Sequence, residues 1–240
     1  MKIDANGMHF SALNERVRDC EEREIYIANC VGQRYIGTGL SDKEIAVGGT
    51  PGNALGAYLN GARIRVYGNV QEATGDTMNG GQIVVGGSAG DATGYAMRGG
   101  KIFIRGDAGY RCGIHMKAYL NHRPAIVIGG RAGSFLGEYQ AGGTLIVLGG
   151  HTEQKPIVGN FCGTGMHGGE ILLRCDALDA ALPAQVKVER IQGPGSEEAV
   201  SLVKEWCARF GKDEAPYLAA AYYRLTPNAE NPYRQMYTPN

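Results

Sequence analysis

The sequence predicts an all-β chain, folded as a single-stranded parallel β-helix of about seven or eight coils. Three observations carry that expectation. Glycine supplies 38 of 240 residues, against a usual share of roughly 7%. Of these glycines, 34 lie between Gly32 and Gly169. The same stretch repeats itself at a step of 19 residues, and self-similarity at a fixed period is the signature of stacked units.

Each element of the repeat has a physical reading. Gly37, Gly56, Gly75, Gly94 and Gly113 form one column; Leu40, Leu59, Met78, Met97 and Met116 form a second, three residues later. Gly137 and Gly163 continue the first column after longer steps of 24 and 26 residues. Apolar runs such as Ile83–Val85, Ile102–Ile104 and Ile126–Ile128 are too short for helices and suit strands. Gly-Gly pairs at 80–81, 99–100, 142–143 and 168–169 mark corners, where positive φ or close backbone approach is required. Strands start near residues 45, 64, 83, 102, 126, 145 and 171, with an eighth at 25–27. The Leu/Met column reads as interior packing. Gln140 stands in the Met slot of its repeat, either as a buried amide with partners or as a sign that the repeat opens there.

Alternation within the strands gives an outward column: Ala46, Arg65, Val84, Phe103, Val127, Val147 and Leu172. After Arg65 it is entirely apolar, so something must cover it. Residues 1–24 read as a charged N-terminal cap with a helical turn at 11–19, 25–175 as the repeat domain, and 176–240 as a C-terminal helix and tail. The helix is placed at 196–210, with Ser196 as N-cap, Glu197 and Glu198 in its first turn and Gly211 ending it. Val200, Val203, Cys207 and Phe210 share one of its faces. Residues 225–240 read as an extended tail laid on a surface.

Composition narrows the function. Lys+Arg and Asp+Glu are 24 each, which argues against nucleic acid or an anionic membrane as partner. No window is long and apolar enough to span a bilayer, and 1–10 carries no secretory signal, so the chain is expected in the cytoplasm. The six cysteines show no CxxC spacing and read as reduced thiols. Gly163–Gly168 matches GxGxxG, but a strand follows where a dinucleotide site needs a helix. No catalytic, cofactor-binding or metal-ligating residue is assigned. The candidate partner interface combines Val84, Phe103 and Val127 of the outward column with a dense polar patch of Arg111, His115, Lys117 and Tyr119 beside a five-residue insertion. Glu138 and Tyr139 join the same interface. Residues 151–160 form the second lengthened repeat, and such insertions are surface loops.

The words GQRYIGTGL (32–40), the run 52–117, FLGEYQAGG (135–143) and GTGMHGG (163–169) resemble one family: the C-terminal GXGXG domain of the glutamate synthase large subunit, in its stand-alone form. The resemblance implies a right-handed β-helix and a structural, non-catalytic role. It also implies partners: a class II glutamine amidotransferase subunit and an FMN-containing glutamate synthase subunit. FMN and iron–sulfur centres would lie in the partners, and no cofactor in this chain. Alternative readings are the equivalent subunit of N-methylglutamate synthase, which has the same architecture, and the repeat subunit of formylmethanofuran dehydrogenase, which shares this style of coil. A self-assembling module that pairs with its own copy, and a stand-alone enzyme, are the readings from other classes.

Overall fold

A computed structural model describes residues 1–150 and 155–228. The chain runs β1 (Lys2–Asp4), α1 (Phe10–Asp19), β2 (Glu24–Val31), β3 (Glu44–Thr50), β4 (Asn60–Val66), β5 (Gly80–Val85), β6 (Lys101–Ile104), β7 (Ala125–Ile128), β8 (Ala141–Val147) and β9 (Gly168–Arg174). It ends with β10 (Val186–Gln192), α2 (Glu197–Phe210), α3 (Ala215–Leu218) and β11 (Ala221–Pro227). All described strands belong to one 11-stranded sheet in the order β1-β2-β3-β4-β5-β6-β7-β8-β9-β11-β10.

This architecture corrects the expected fold class. The all-β, right-handed single-stranded parallel β-helix gives way to a mixed sheet with three helices among the described residues. Pairing is parallel from β1 to β9, then antiparallel between β9 and β11 and between β11 and β10. The physical reason lies after Cys175, where the repeat ends. Residues on either side of the expected C-terminal helix, including the start of the expected tail at 225, form β10 and β11, which close the sheet in the opposite direction. Residues 229–240, the rest of the expected tail, lie outside the described residues, as do 151–154 of the second lengthened repeat.

Within the parallel part the 19-residue step becomes register. Ile45, Ile64, Ile83, Ile102, Ile126, Leu145 and Ile171 stand opposite one another on successive strands, and all are buried in one core. A second line of contacts joins the repeats through single parallel bridges, Val70–Ala89–Ala108–Ala132–Val158. At the N-terminal end α1 seats Leu13 and Val17, one turn apart, with Ile3 in the same core.

The turn segment between strands explains the glycine column. Three positions in each have positive φ, as in Ala73, Gly75 and Thr77 (56°, 71° and 50°). The middle one is always glycine. A Cβ on Gly75 would stand 2.5 Å from Cδ1 of Ile102, and one on Gly56 would stand 2.6 Å from Cδ1 of Ile83. Each inner isoleucine therefore fills the space left by a missing Cβ. Apart from the buried Ala54, the non-glycine flanking positions are half-buried or exposed and take side chains of very different size.

The inner columns are otherwise apolar, with two kinds of exception. Thr74 and Thr93 are buried and donate their hydroxyls to the Gln71 and Gly90 carbonyls. Gln140 is fully buried; its amide nitrogen donates to the Gly142, Gly143 and Glu170 carbonyls, while Oε1 has no partner. The repeat therefore does not open at Gln140. Cys112 and Cys162 fill the same interior, where burial pushes their thiols up to about 12.

The outer face of the sheet is closed by α2. Ser196 Oγ accepts from the Ala199 amide and Gly211 ends the helix in the left-handed region. Ala199, Leu202, Val203, Trp206 and Cys207 share one cluster with Val84, Phe103, Val127, Ile146, Leu172 and Tyr222. The outward column runs through Ile146, not Val147: β8 pairs Val127 with Ile146, and Val147 lies in the inner core. A one-residue slip exchanges the faces of a strand. Trp206, central to the cluster, donates its ring N–H to the Ile104 carbonyl at 2.8 Å. Glu205 fixes the helix at its edge, accepting from Gln82 (2.7 Å), Lys101 (2.7 Å) and Arg209 (3.0 Å). Burial alone would raise the Glu205 carboxyl, but the three donors outweigh it and hold it below the ordinary value of 4.5.

Two predictions follow from these contacts. Gly75→Ala should lose about 2–4 kcal/mol in urea unfolding, combining positive-φ strain with overpacking. Ala73→Gly, at similar φ but facing outward, should stay within about 1 kcal/mol of the parent. The depressed Glu205 carboxyl contributes stability above its unfolded value, which is lost as pH falls through its folded one. Glu205→Gln should therefore lower the thermal midpoint at neutral pH, with the difference shrinking in acid below pH 4.5.

Candidate functional site

The positive-φ positions on either side of the central glycine build a surface. On the first side stand Tyr35, Ala54, Ala73, Ala92, Arg111, Phe135 and Phe161; on the second, Tyr58, Thr77, Ala96, His115 and Tyr139. In the N-terminal and central repeats most of these side chains are small. From Arg111 onward they become large, and neighbours stack at the spacing of adjacent strands, roughly 4.8 Å.

The C-terminal half of this face is an aromatic and cationic strip made of two stacks, one on each side of the central glycines, with Arg111 of one stack facing Glu138 next to Tyr139 of the other. His115 stacks on Tyr139 with ring centroids 5.2 Å apart and planes 8° from parallel, and meets Tyr95 edge-on at 5.9 Å. Phe135 stacks on Phe161 at 4.9 Å. The Arg111 guanidinium lies over the Phe135 ring at 5.3 Å and faces Glu138 at 3.7 Å. Phe161 is 54% exposed, Tyr95 40% and Tyr139 38%. The strip therefore presents ring area to solvent while its members hold one another in place. Such pre-ordered aromatic and arginine side chains are the residue types that dominate binding energy at protein interfaces.

The sequence-predicted interface residues separate into two groups. Val84, Phe103 and Val127 are buried under α2 and are taken up by the chain itself. Arg111, His115, Glu138 and Tyr139 come together in the strip. Lys117 is exposed in the same repeat. Tyr119 lies further along the insertion, where it exchanges backbone hydrogen bonds with His122. Tyr119 lines a groove of about 490 Å³ with Gly39, Tyr58, Asn60, Asn79, Arg98 and His122. Sequence reasoning missed Tyr95, Phe135 and Phe161. The signal existed: Phe135 and Phe161 lie two residues before Gly137 and Gly163, the offset Arg111 has from Gly113.

Among the described residues, no group of three His, Cys, Asp or Glu is placed to hold a metal ion. No described helix is long and apolar enough to cross a membrane. The six cysteines are free thiols.

Comparison with known proteins settles the lineage. The profile of the family described as "GXGXG motif" matches residues 19–229. The chain belongs to the GXGXG family. A relative of similar length, the "Uncharacterized protein MJ1350" of Methanocaldococcus jannaschii, is 39% identical over 253 residues, covering 99% of this chain and 96% of that one. Among solved structures, a chain of the formyltransferase/hydrolase complex of Methylorubrum extorquens, determined with methylofuran, superposes with a TM-score of 0.63. That match covers 95% of this chain and 91% of the other at 20% identity, so the likeness is one of fold.

If the strip is a surface rather than part of the core, its truncation should leave the fold intact. Tyr139→Ala and Phe161→Ala are each expected to change unfolding free energy by less than about 1 kcal/mol, where a core aromatic would cost about 3–5. Chemical denaturation monitored by Trp206 fluorescence checks this.

Proposed function

We propose that this chain is a structural subunit of a multi-subunit enzyme complex, of the kind represented by the formyltransferase/hydrolase assembly and by the repeat subunit of formylmethanofuran dehydrogenase. In this reading it carries no catalytic residue and holds catalytic partners through the aromatic strip. The observation that carries it is the division of the molecule's surfaces. The apolar outer column of the sheet is already covered by α2, while an ordered strip of Tyr95, Arg111, His115, Phe135, Tyr139 and Phe161 faces solvent. The fold match to a chain of a formyl-transferring complex, along nearly the whole length of both, supports the partner class.

A second reading keeps the same role within a split glutamate synthase, beside a class II glutamine amidotransferase and an FMN-containing subunit. Membership of the GXGXG family and the repeat words of 52–117 support it. There, FMN and iron–sulfur centres belong to the partners. A rigid spacer suits both readings, because two active sites that exchange a reactive intermediate need a fixed separation.

The test is isolation of the tagged chain from its native extract, with mass spectrometry of what it carries. Formyltransferase and hydrolase subunits are expected under the first reading, an amidotransferase and an FMN flavoprotein under the second. The variant Arg111→Ala/Phe135→Ala/Tyr139→Ala should lose those partners by at least about tenfold, since hot-spot residues each contribute about 2 kcal/mol or more. A chain that elutes alone from extract, or a variant that retains every partner, contradicts the proposal.

A further inference from the structure

A pocket of about 270 Å³ opens at the C-terminal end of α2, away from the aromatic strip, lined by Arg65, Val66, Tyr67, Val84, Gly86, Arg105, Arg209 and Phe210. Its three charged side chains are all arginines. Arg65 comes from β4, Arg105 follows β6, and Arg209 belongs to the last turn of α2. Among the described residues, neither Arg65 nor Arg105 has a carboxylate partner.

Arg209 is held differently. Glu205 accepts from it at 3.0 Å, one helical turn away, and is itself fixed by Gln82 and Lys101 at 2.7 Å each. Arg209 is thus positioned at the pocket wall with donors left over, since a guanidinium carries five N–H groups. Counting Lys101 and Glu205 with the three arginines leaves three net positive charges around a small concavity. The α2 carbonyl end adds a partial negative charge to one wall, equivalent to about half a unit, which the arginines outweigh.

Like charges gathered without a counter-charge repel one another. Planar guanidinium forks match the oxygens of phosphate and carboxylate groups two at a time. Tyr67 and Phe210 supply the uncharged wall that would lie against the rest of a ligand. The neighbouring groove of about 530 Å³ shares Arg65, Val84 and Arg209 and is lined by two acidic residues, Glu24 and Glu44, balanced there by Arg63 and by the Arg23 that holds Glu44 at 3.0 Å; neither acidic residue lines the arginine pocket itself. We propose that this pocket is a binding site for a small polyanion, a phosphorylated or polycarboxylate metabolite, grasped by Arg65, Arg105 and Arg209.

The test is isothermal titration calorimetry of the intact chain with sodium pyrophosphate and, separately, with citrate, in low-salt buffer. Saturable binding of at least one probe is expected, falling as salt is added. Pyrophosphate alone would identify a phosphate site, citrate alone a carboxylate site, and both a general oxyanion site. Arg65→Ala/Arg105→Ala should weaken binding by at least about tenfold, or about 1.4 kcal/mol, with an unchanged far-UV spectrum. Arg98→Ala, in the separate groove beside Tyr119, should bind as the parent does. If the double variant loses its fold, Arg105→Gln decides by the same criterion. Failure of both probes to bind saturably, or binding that ignores the arginine substitutions, overturns the proposal.

Discussion

The fit of an isoleucine into the space of a missing Cβ organises the parallel part of this molecule. Each central glycine of a turn segment, such as Gly56 or Gly75, lacks the atom that would collide with an isoleucine of the sheet, Ile83 or Ile102. The same glycine must also adopt positive φ, which costs other residues roughly 1–2 kcal/mol. Two independent requirements thus fall on one position, and they recur with every strand. Sheet register, the apolar ladder and the outward direction of the flanking turn positions all depend on that interlock.

The interlock leaves the sheet with an unsatisfied outer face, and the non-repeating C-terminal part resolves it. Helix α2 lays Leu202, Val203 and Trp206 over Phe103, Val127 and Ile146, while β10 and β11 complete the sheet in antiparallel fashion. What remains exposed is chemically uneven. One turn face carries stacked rings and an arginine; the outer sheet beyond the last turn of α2 carries arginines without acidic partners. A structural subunit that joins other chains through the first surface and takes an anion at the second accounts for both without assigning catalysis to either.

Much of this was legible in the sequence, for reasons specific to its residues. The 19-residue step located strands and interior columns, because a repeat states the same packing requirement several times over, while the helix from Ser196 was marked by its own capping residues, Ser196 and Gly211. The fold class was not legible, since β10 and β11 follow no repeat, and the brief apolar–charged alternation Val186–Glu189 is one short strand signal with no copy elsewhere in the chain to reinforce it. The register of β8 was misread by one residue, because Leu145, Ile146 and Val147 are all apolar and no charge marks the outer face as Arg65 does in β4. Half of the candidate interface was visible as the patch Arg111–Tyr119. Glu138 and Tyr139 were visible too, whereas Tyr95, Phe135 and Phe161 stayed hidden because which rings stack on which depends on the turn geometry on either side of the central glycine. Trp206 drew no notice as a lone tryptophan, although it centres the cluster beneath α2.

The central claim is that the aromatic strip, and not the sheet face, is where this chain meets its partners. Hydroxyl-radical footprinting of the free chain and of the complex isolated from native extract tests it most directly. Tyr95, His115, Tyr139 and Phe161 should be reactive in the free chain and strongly protected in the complex, while Phe103 and Trp206 stay protected in both. Equal reactivity of the strip residues in the two states would contradict the account.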